Sequence, residues 1–301
     1  MHSPSPIPDA SSPQAPAPKA SKPHRRPLRR LSLLVLATVV TGYVAICVFL
    51  FLIQDRLIYF PEKRYGMTPA DVRLEYEEVT LTTDDGVTLT AWYVPHPSPK
   101  ATFLICHGNG GNMSDFYQTL KTLHRLGYSA LIFDYRGYGR SGGTPSEEGL
   151  YRDAEAAWRY LVETRGQPPQ RIVLLGRSLG AAVAIELASR HSPAALITEC
   201  AFTSLVDIGR QEYPLLPVSL LCTERYESIR KVPRVGCPKL FFHGAADEII
   251  PLTNGRRLFE AAAEPKGFVQ TGGGHNTAGF EYDRASVELL RDWLDRLFAG
   301  E

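Results

Sequence analysis

The sequence predicts an α/β fold, a mostly parallel sheet with helices on both faces, preceded by one membrane-spanning helix near the N-terminus. Three observations lead there. From residue 101 onward, apolar runs of strand length alternate with longer amphipathic runs, as in a parallel sheet built from strand–helix units. Ahead of them, residues 76–82 and 87–94 alternate in polarity around Asp84-Asp85-Gly86, which reads as an antiparallel hairpin. Finally, residues 31–53 run for 23 positions without a charge.

The 301 residues carry a formal net charge of +1, without the basic excess of a nucleic-acid binder. The balance conceals a split. Residues 1–30 hold six Lys/Arg against Asp9 alone, so the other 271 residues carry 27 basic and 31 acidic groups. Residues 1–30 are also rich in Pro, Ser and Ala, and are expected to form a disordered basic tail because few large apolar side chains offset the ordering entropy. At about 1.5 Å per residue, a helix over 31–53 spans a hydrocarbon core of roughly 30 Å. A cleaved signal peptide has a shorter apolar region of about 7–15 residues and a small-residue cleavage site. Here the run is longer, and Ile46 stands before Cys47 where a lipoprotein-type site needs a small residue, so an uncleaved anchor is expected. Six Lys/Arg precede the helix, against Arg56, Lys63 and Arg64 close behind it. That bias puts the N-terminus in the cytoplasm and the following domain outside it.

Residues 54–301 suffice for one domain with a substantial core. After the hairpin come a strand at 101–106, a helix at 115–126, a strand at 129–133 and a helix at 146–164. That helix opens with Thr144-Pro145-Ser146-Glu147, read as a capping box with Pro in the first turn. Its Leu150, Ala154, Ala157, Trp158 and Leu161 recur at helical spacing and form a core-facing stripe. Further strands are expected at 195–198, 239–243 and 267–270, with helices at 254–263 and 282–298.

Between a strand and an Ala-rich helix lies Gly176-Arg177-Ser178-Leu179-Gly180. This is the G-x-S-x-G nucleophile elbow in the strand–turn–helix context it requires, with Ser178 aimed from a strained turn at the positive end of the next helix. A serine needs a base, and the base an orienting carboxylate. Asp247 follows the strand at 239–243, and His275 follows the last strand within Gly272-Gly273-Gly274-His275. Both fall at strand C-termini, where sites of parallel sheets gather. Glu199, also just past a strand, is the rival acid. His243 is read as packing beneath the acid loop, and His124 and His191 as helix-surface residues. The oxyanion hole is expected from the amides of Leu179 and Asn109, the latter in the turn His107-Gly108-Asn109-Gly110-Gly111-Asn112, with His107 a structural residue. That Gly-rich turn is not a phosphate loop, since no Gly-Lys-Ser/Thr follows it. The chemistry needs neither metal nor cofactor, and the five cysteines make no metal-ligand cluster; in an oxidising compartment Cys222 and Cys237 are candidates to pair.

These residues, with Asp134-Tyr135-Arg136-Gly137-Tyr138-Gly139-Arg140-Ser141, His243-Gly244 and Gly274-His275-Asn276, resemble α/β-hydrolase-domain serine hydrolases over roughly residues 55–298. The nearest likeness is to their membrane-anchored or membrane-associated branch, which includes eukaryotic protein depalmitoylases and uncharacterised bacterial relatives. The resemblance implies an α/β-hydrolase fold with a short cap at 199–238, and a Ser178–Asp247–His275 triad. Two features depart from it: Thr277 stands where an acidic residue often follows His-Asn, and an apolar helix with only Cys47 replaces the lipidated cysteine-rich N-terminus of the depalmitoylases. In the cap, residues 213–221 are apolar with two prolines, suited either to line an acyl pocket or to pack as a lid over an open cleft. The expected function is a membrane-anchored serine hydrolase acting on a small-molecule or lipid-like ester or thioester. A serine peptidase of the same fold is the alternative. A non-catalytic binding protein on this scaffold would ordinarily lack a triad member, and all three are present.

Topology is directly testable. Replacing Arg25, Arg26, Arg29 and Arg30 with neutral residues is expected to give mixed or inverted insertion. In the native chain, a reporter fused after Glu301 that is active only in the cytoplasm would refute the orientation.

Overall fold

The structure, a computed structural model, describes residues 1–3, 5 and 26–299. The expected disordered tail therefore falls mostly outside the described residues, and its last five, 26–30, are helical instead. They begin α1 (Arg26–Ile58), which outruns the uncharged stretch at both ends. The residues added at its C-terminal end include Gln54, Leu57 and Ile58, which find partners in the following domain. The chain divides into two compact units, residues 1–46 and 47–301. In the first, the side chains of residues 29–46 are all exposed, although most are apolar. Among the described residues this is the one helix long and apolar enough to cross a membrane.

The second unit is built on eight strands: β1 (Glu77–Thr82), β2 (Thr88–Val94), β3 (Thr102–Cys106), β4 (Ser129–Phe133), β5 (Ile172–Arg177), β6 (Ala195–Glu199), β7 (Lys239–Gly244) and β8 (Lys266–Thr271). They lie in the order β8-β7-β6-β5-β3-β4-β2-β1. The hairpin pairs β1 with β2 antiparallel, β2 joins β4 antiparallel, and all other pairings are parallel. Because β4 lies on one side of β3 and β5 on the other, the chain changes direction between β3 and β5. Cys106 is level with Gly176 there, so the loops leaving these two strands emerge side by side.

Strand residues alternate between two cores, as the two-residue repeat of a pleated strand dictates. Leu104, Leu131, Leu174, Leu196 and Phe241 face one layer, while Phe103, Ile132, Val173, Ile197 and Phe242 face the other. The first layer is covered by α3 (Glu147–Arg159), α4 (Leu179–Arg190) and α8 (Leu252–Ala261), the second by α2 (Tyr117–Arg125) and α9 (Arg284–Phe298). The stripe Leu150, Ala154, Ala157, Trp158 and Leu161 is buried in the first layer, as expected. The capping expectation needs correction. Ser146 is the N-cap, accepting from the Gly149 amide at 3.2 Å, so Pro145 precedes the helix. Glu147 turns away from the helix end and binds Tyr151 and the Arg225 amide. The excursion from 200 to 238 carries three short helices, α5 (Leu205–Glu212), α6 (Val218–Leu221) and α7 (Ser228–Lys231).

The tightest packing is at the crossing of α4 over β5 and β3. A Cβ on Gly180 would lie 2.1 Å from the Cys106 carbonyl oxygen, and one on Gly176 would lie 2.3 Å from the Gly180 carbonyl oxygen. These neighbours are backbone and cannot swing aside. Gly180→Ala is therefore expected to cost about 2 kcal/mol or more, a Tm loss of roughly 5 °C. Gly236→Ala, which meets nothing within 4 Å, is the control and should leave Tm nearly unchanged. Equal Tm values for the two variants in a thermal melt would refute the close approach.

Candidate active site

Three loops converge over the C-terminal ends of β5, β7 and β8. Ser178, between β5 and α4, adopts φ 54° and ψ −118°, a left-handed conformation that costs energy in any residue with a Cβ. Its amide is held by the Glu199 carbonyl at 2.8 Å, and its own carbonyl accepts from Ala181 at 3.0 Å. The hydroxyl lies 3.1 Å from Nε2 of His275. Nδ1 of the same ring lies 2.9 and 3.0 Å from the two Asp247 oxygens. Ser178, Asp247 and His275, far apart in the chain, thus form one hydrogen-bonded series. Such a series has the geometry to move a proton from a hydroxyl to an imidazole whose tautomer a carboxylate fixes.

Each member is held from behind. Asp247 accepts the amides of Ile249 at 3.0 Å and Ile250 at 2.8 Å. Burial opposes its ionisation, but hydrogen bonds from His275, Ile250 and Cys200 outweigh it and hold the carboxyl below its ordinary value. The His275 amide donates to Glu248 at 3.1 Å. His243 is buried under the acid loop with Nε2 donating to the Ile250 carbonyl at 2.9 Å, as the sequence suggested. Cys200 enters the left-handed region at φ 50° and brings its thiol to 3.7 Å from the His275 carbonyl. Cys200, Asp247 and His275 offer donor atoms within 4.8 Å of one another. They are a poor metal site, because burial and the adjacent carboxylate keep the thiol protonated and the other two are bonded to each other.

Glu199, the rival acid, does not reach His275. It is fully buried and accepts from Arg177 Nε at 2.6 Å and from the Phe280 amide at 3.0 Å. Arg177 also pairs with Glu281, which in turn accepts from Thr119 at 2.9 Å. Burial raises the Glu199 carboxyl above its usual range, with Arg177 pulling it down and Glu281 pushing it up. This network ties the elbow to the loop just beyond His275. Sequence reading missed it because Arg177 is the variable position of its motif and Glu281 lies 104 residues away.

Leu179 is the first residue of α4, so its amide has no intrahelical partner. It lines a cleft of about 730 Å³ over Ser178, together with Asn109, Phe202, Leu205, Ile249 and His275. The turn carrying Asn109 is clamped on several sides. Its side chain donates to the Ile58 carbonyl at 3.0 Å, and its carbonyl accepts from the Phe60 amide at 2.9 Å and Tyr138 Oη at 2.7 Å. Phe60-Pro61 runs parallel to Gly110-Gly111, and Asn112 donates to the carbonyls of Glu62 and Arg64. The chain leaving α1 thus braces the turn, an arrangement with no signal in the sequence beyond the turn's polar side chains. His107 is buried beneath it, with Nδ1 donating to the Gly108 carbonyl at 2.8 Å and its pKa pushed down to about 4 by burial. Cys222 and Cys237 are free thiols, and Cys222 donates to the Glu224 carbonyl at 2.9 Å, so the suggested pairing is not formed.

The family profile described as "Serine aminopeptidase, S33" (Hydrolase_4) matches residues 97–226. The uncharacterized protein Rv2307c of Mycobacterium tuberculosis is 40% identical over 263 residues, covering 86% of this chain and 92% of that one. Alpha/beta hydrolase domain-containing protein 17B of Xenopus laevis is 34% identical over 205 residues, covering 67% of this chain and 66% of that one. The Pyrococcus furiosus esterase Pf2001 superposes with a TM-score of 0.67 at 22% identity, over 78% of this chain and 98% of that structure, a likeness of fold. With this strand order, these helical layers and relatives that it matches along most of their length, the chain belongs to the α/β-hydrolase family.

Proposed function

We propose that the chain is a membrane-anchored serine hydrolase that cleaves an ester or thioester through an acyl-enzyme intermediate. The observation that carries this reading is the series Asp247–His275–Ser178, closed at 2.9 and 3.1 Å at a strained elbow inside a cleft. In this reading Ser178 Oγ attacks the substrate carbonyl carbon while its proton passes to His275 Nε2. Asp247 holds the ring in the correct tautomer and favours the imidazolium that forms. The carbonyl oxygen, now negative, is stabilised by the amides of Leu179 and Asn109. Asn109 N–H has no protein partner among the described residues, which suits this role. Collapse expels an alcohol or thiol that takes the proton from His275. A water then attacks the acyl-enzyme by the same route, releasing the acid and restoring Ser178.

The anchor is α1, long and apolar enough to span a bilayer, with its basic flank on the cytoplasmic side. A domain held outside the cytoplasm meets lipids and envelope esters in preference to cytoplasmic acyl-proteins. The S33 description carries a peptidase reading as well. A panel of esters, thioesters and peptide amides on the solubilised protein separates the two, and exclusive amide cleavage would reverse the preference.

A fluorophosphonate probe is expected to label the wild type and not Ser178→Ala; equal labelling of the variant would exclude Ser178 as nucleophile. Asp247→Asn is expected to lower kcat by about 10⁴-fold with little change in Tm. Glu199→Gln should do the opposite, lowering Tm by weakening the buried Arg177 pair while keeping kcat within about tenfold of the wild type. Steady-state kinetics and thermal melts of both variants decide, and the reverse ranking would transfer the acid role to Glu199.

A further inference from the structure

A second cavity adjoins the cleft. It has a volume of about 280 Å³ and lies between the last turns of α1, at Leu50, Gln54 and Leu57, and the cap, at Tyr213, Leu216 and Leu221. These turns belong to the same compact unit as the cap. The lining is largely hydrocarbon; Glu212 also borders it, and the Gln54 amide is already engaged, its carbonyl accepting from Thr223 and its nitrogen donating to Phe51. The cavity shares Leu57, Ile58, Leu205 and Ile208 with the cleft over Ser178, so this quartet is the common wall of the two spaces. Leu220 of α6, next in sequence to the lining residue Leu221, is 82% exposed.

We infer that this cavity receives the distal part of a linear acyl chain, and that the foot of α1 sets the chain length accepted. The inference rests on the hydrolase reading above and names the substrate class of that site. A chain whose carbonyl lies at Ser178 has a polar end at the oxyanion amides and must place its hydrocarbon elsewhere in the cleft. Leu57, Ile58, Leu205 and Ile208 border both spaces, and in this inference the hydrocarbon passes beside them into the second cavity. Each methylene moved from water into such a space is worth about fourfold in binding, until the space is filled. One wall is the end of a helix apolar enough to span a bilayer. α1 is then part of the specificity pocket and not a tether alone.

The test uses the full chain in one detergent, with butanoyl and dodecanoyl p-nitrophenyl esters. Leu50→Trp and Leu221→Trp fill the cavity from its two walls and touch no residue of the Ser178 series. Each is expected to lower the dodecanoyl-to-butanoyl ratio of kcat/KM at least tenfold. Leu50→Ala and Leu221→Ala enlarge the cavity and should raise the dodecanoyl-to-butanoyl ratio, an opposite shift that general misfolding does not produce. A ratio within twofold of the wild type in both Trp variants overturns the inference. Binding of the fluorescent fatty acid parinaric acid to Ser178→Ala, with and without Leu50→Trp, separates the cavity from the chemistry. If the wild type turns over no ester but Leu50→Trp still abolishes fatty-acid binding, the acyl site stands and the hydrolase reading falls. If neither turnover nor binding is seen, both fall.

Discussion

The rest of the site depends on how closely α4 crosses β5 and β3. The crossing has room for only hydrogen at Gly176 and Gly180, and it forces the residue between them into a left-handed turn at φ 54°. That strain is borne by the backbone around it: the Ser178 amide is tied to β6 and its carbonyl to the first turn of α4. The turn points the hydroxyl out of the sheet, and the same turn leaves the Leu179 amide unpaired at the start of a helix of twelve residues. The Ser178 hydroxyl and the Leu179 amide, the proposed nucleophile and oxyanion donor, are thus both placed by one packing constraint.

The other side chains are held on loops, which rigid strands deliver and polar contacts lock. Asp247 is fixed by two amides of its own loop, and His275 by Asp247 on one side and Ser178 on the other. Arg177 joins the elbow to the loop after His275 through two buried carboxylates. Glu199 therefore matters to the site as the anchor of that arginine and not as a partner of the imidazole. The arrangement places a charged network directly behind the series without letting it compete for the histidine.

The segment that leaves α1 connects the apolar helix to the chemistry. It runs beside the turn that bears Asn109 and binds that turn through Ile58, Phe60, Glu62 and Arg64. A few residues earlier the same helix forms a wall shared by the cleft and the adjoining cavity. Tyr59 extends the connection, donating to Glu224 and sharing a hydrogen bond with Tyr226 in the cap. The foot of α1, the cap and the turn that bears Asn109 are therefore joined by hydrogen bonds.

Much was legible in the sequence, because the signals involved are local. Strand alternation, helical stripes and the small residues of Gly176-Arg177-Ser178-Leu179-Gly180 depend on near neighbours in the chain, so the α/β layering and the elbow followed from residue types alone. Asp247 and His275 stood out because loops at strand ends are where such a sheet exposes polar side chains. The choice between Asp247 and Glu199 belonged to tertiary structure: both follow strands, and only the strand order decides that one reaches the imidazole while the other is buried beneath Arg177. The Ser146 cap likewise depended on Glu147 finding partners at Tyr151 and Arg225. The bracing of the Asn109 turn by residues 58–64, and the cavity between α1 and the cap, bring together segments some 50 and 170 residues apart. No periodicity records such contacts, since they exist only once the chain has closed on itself.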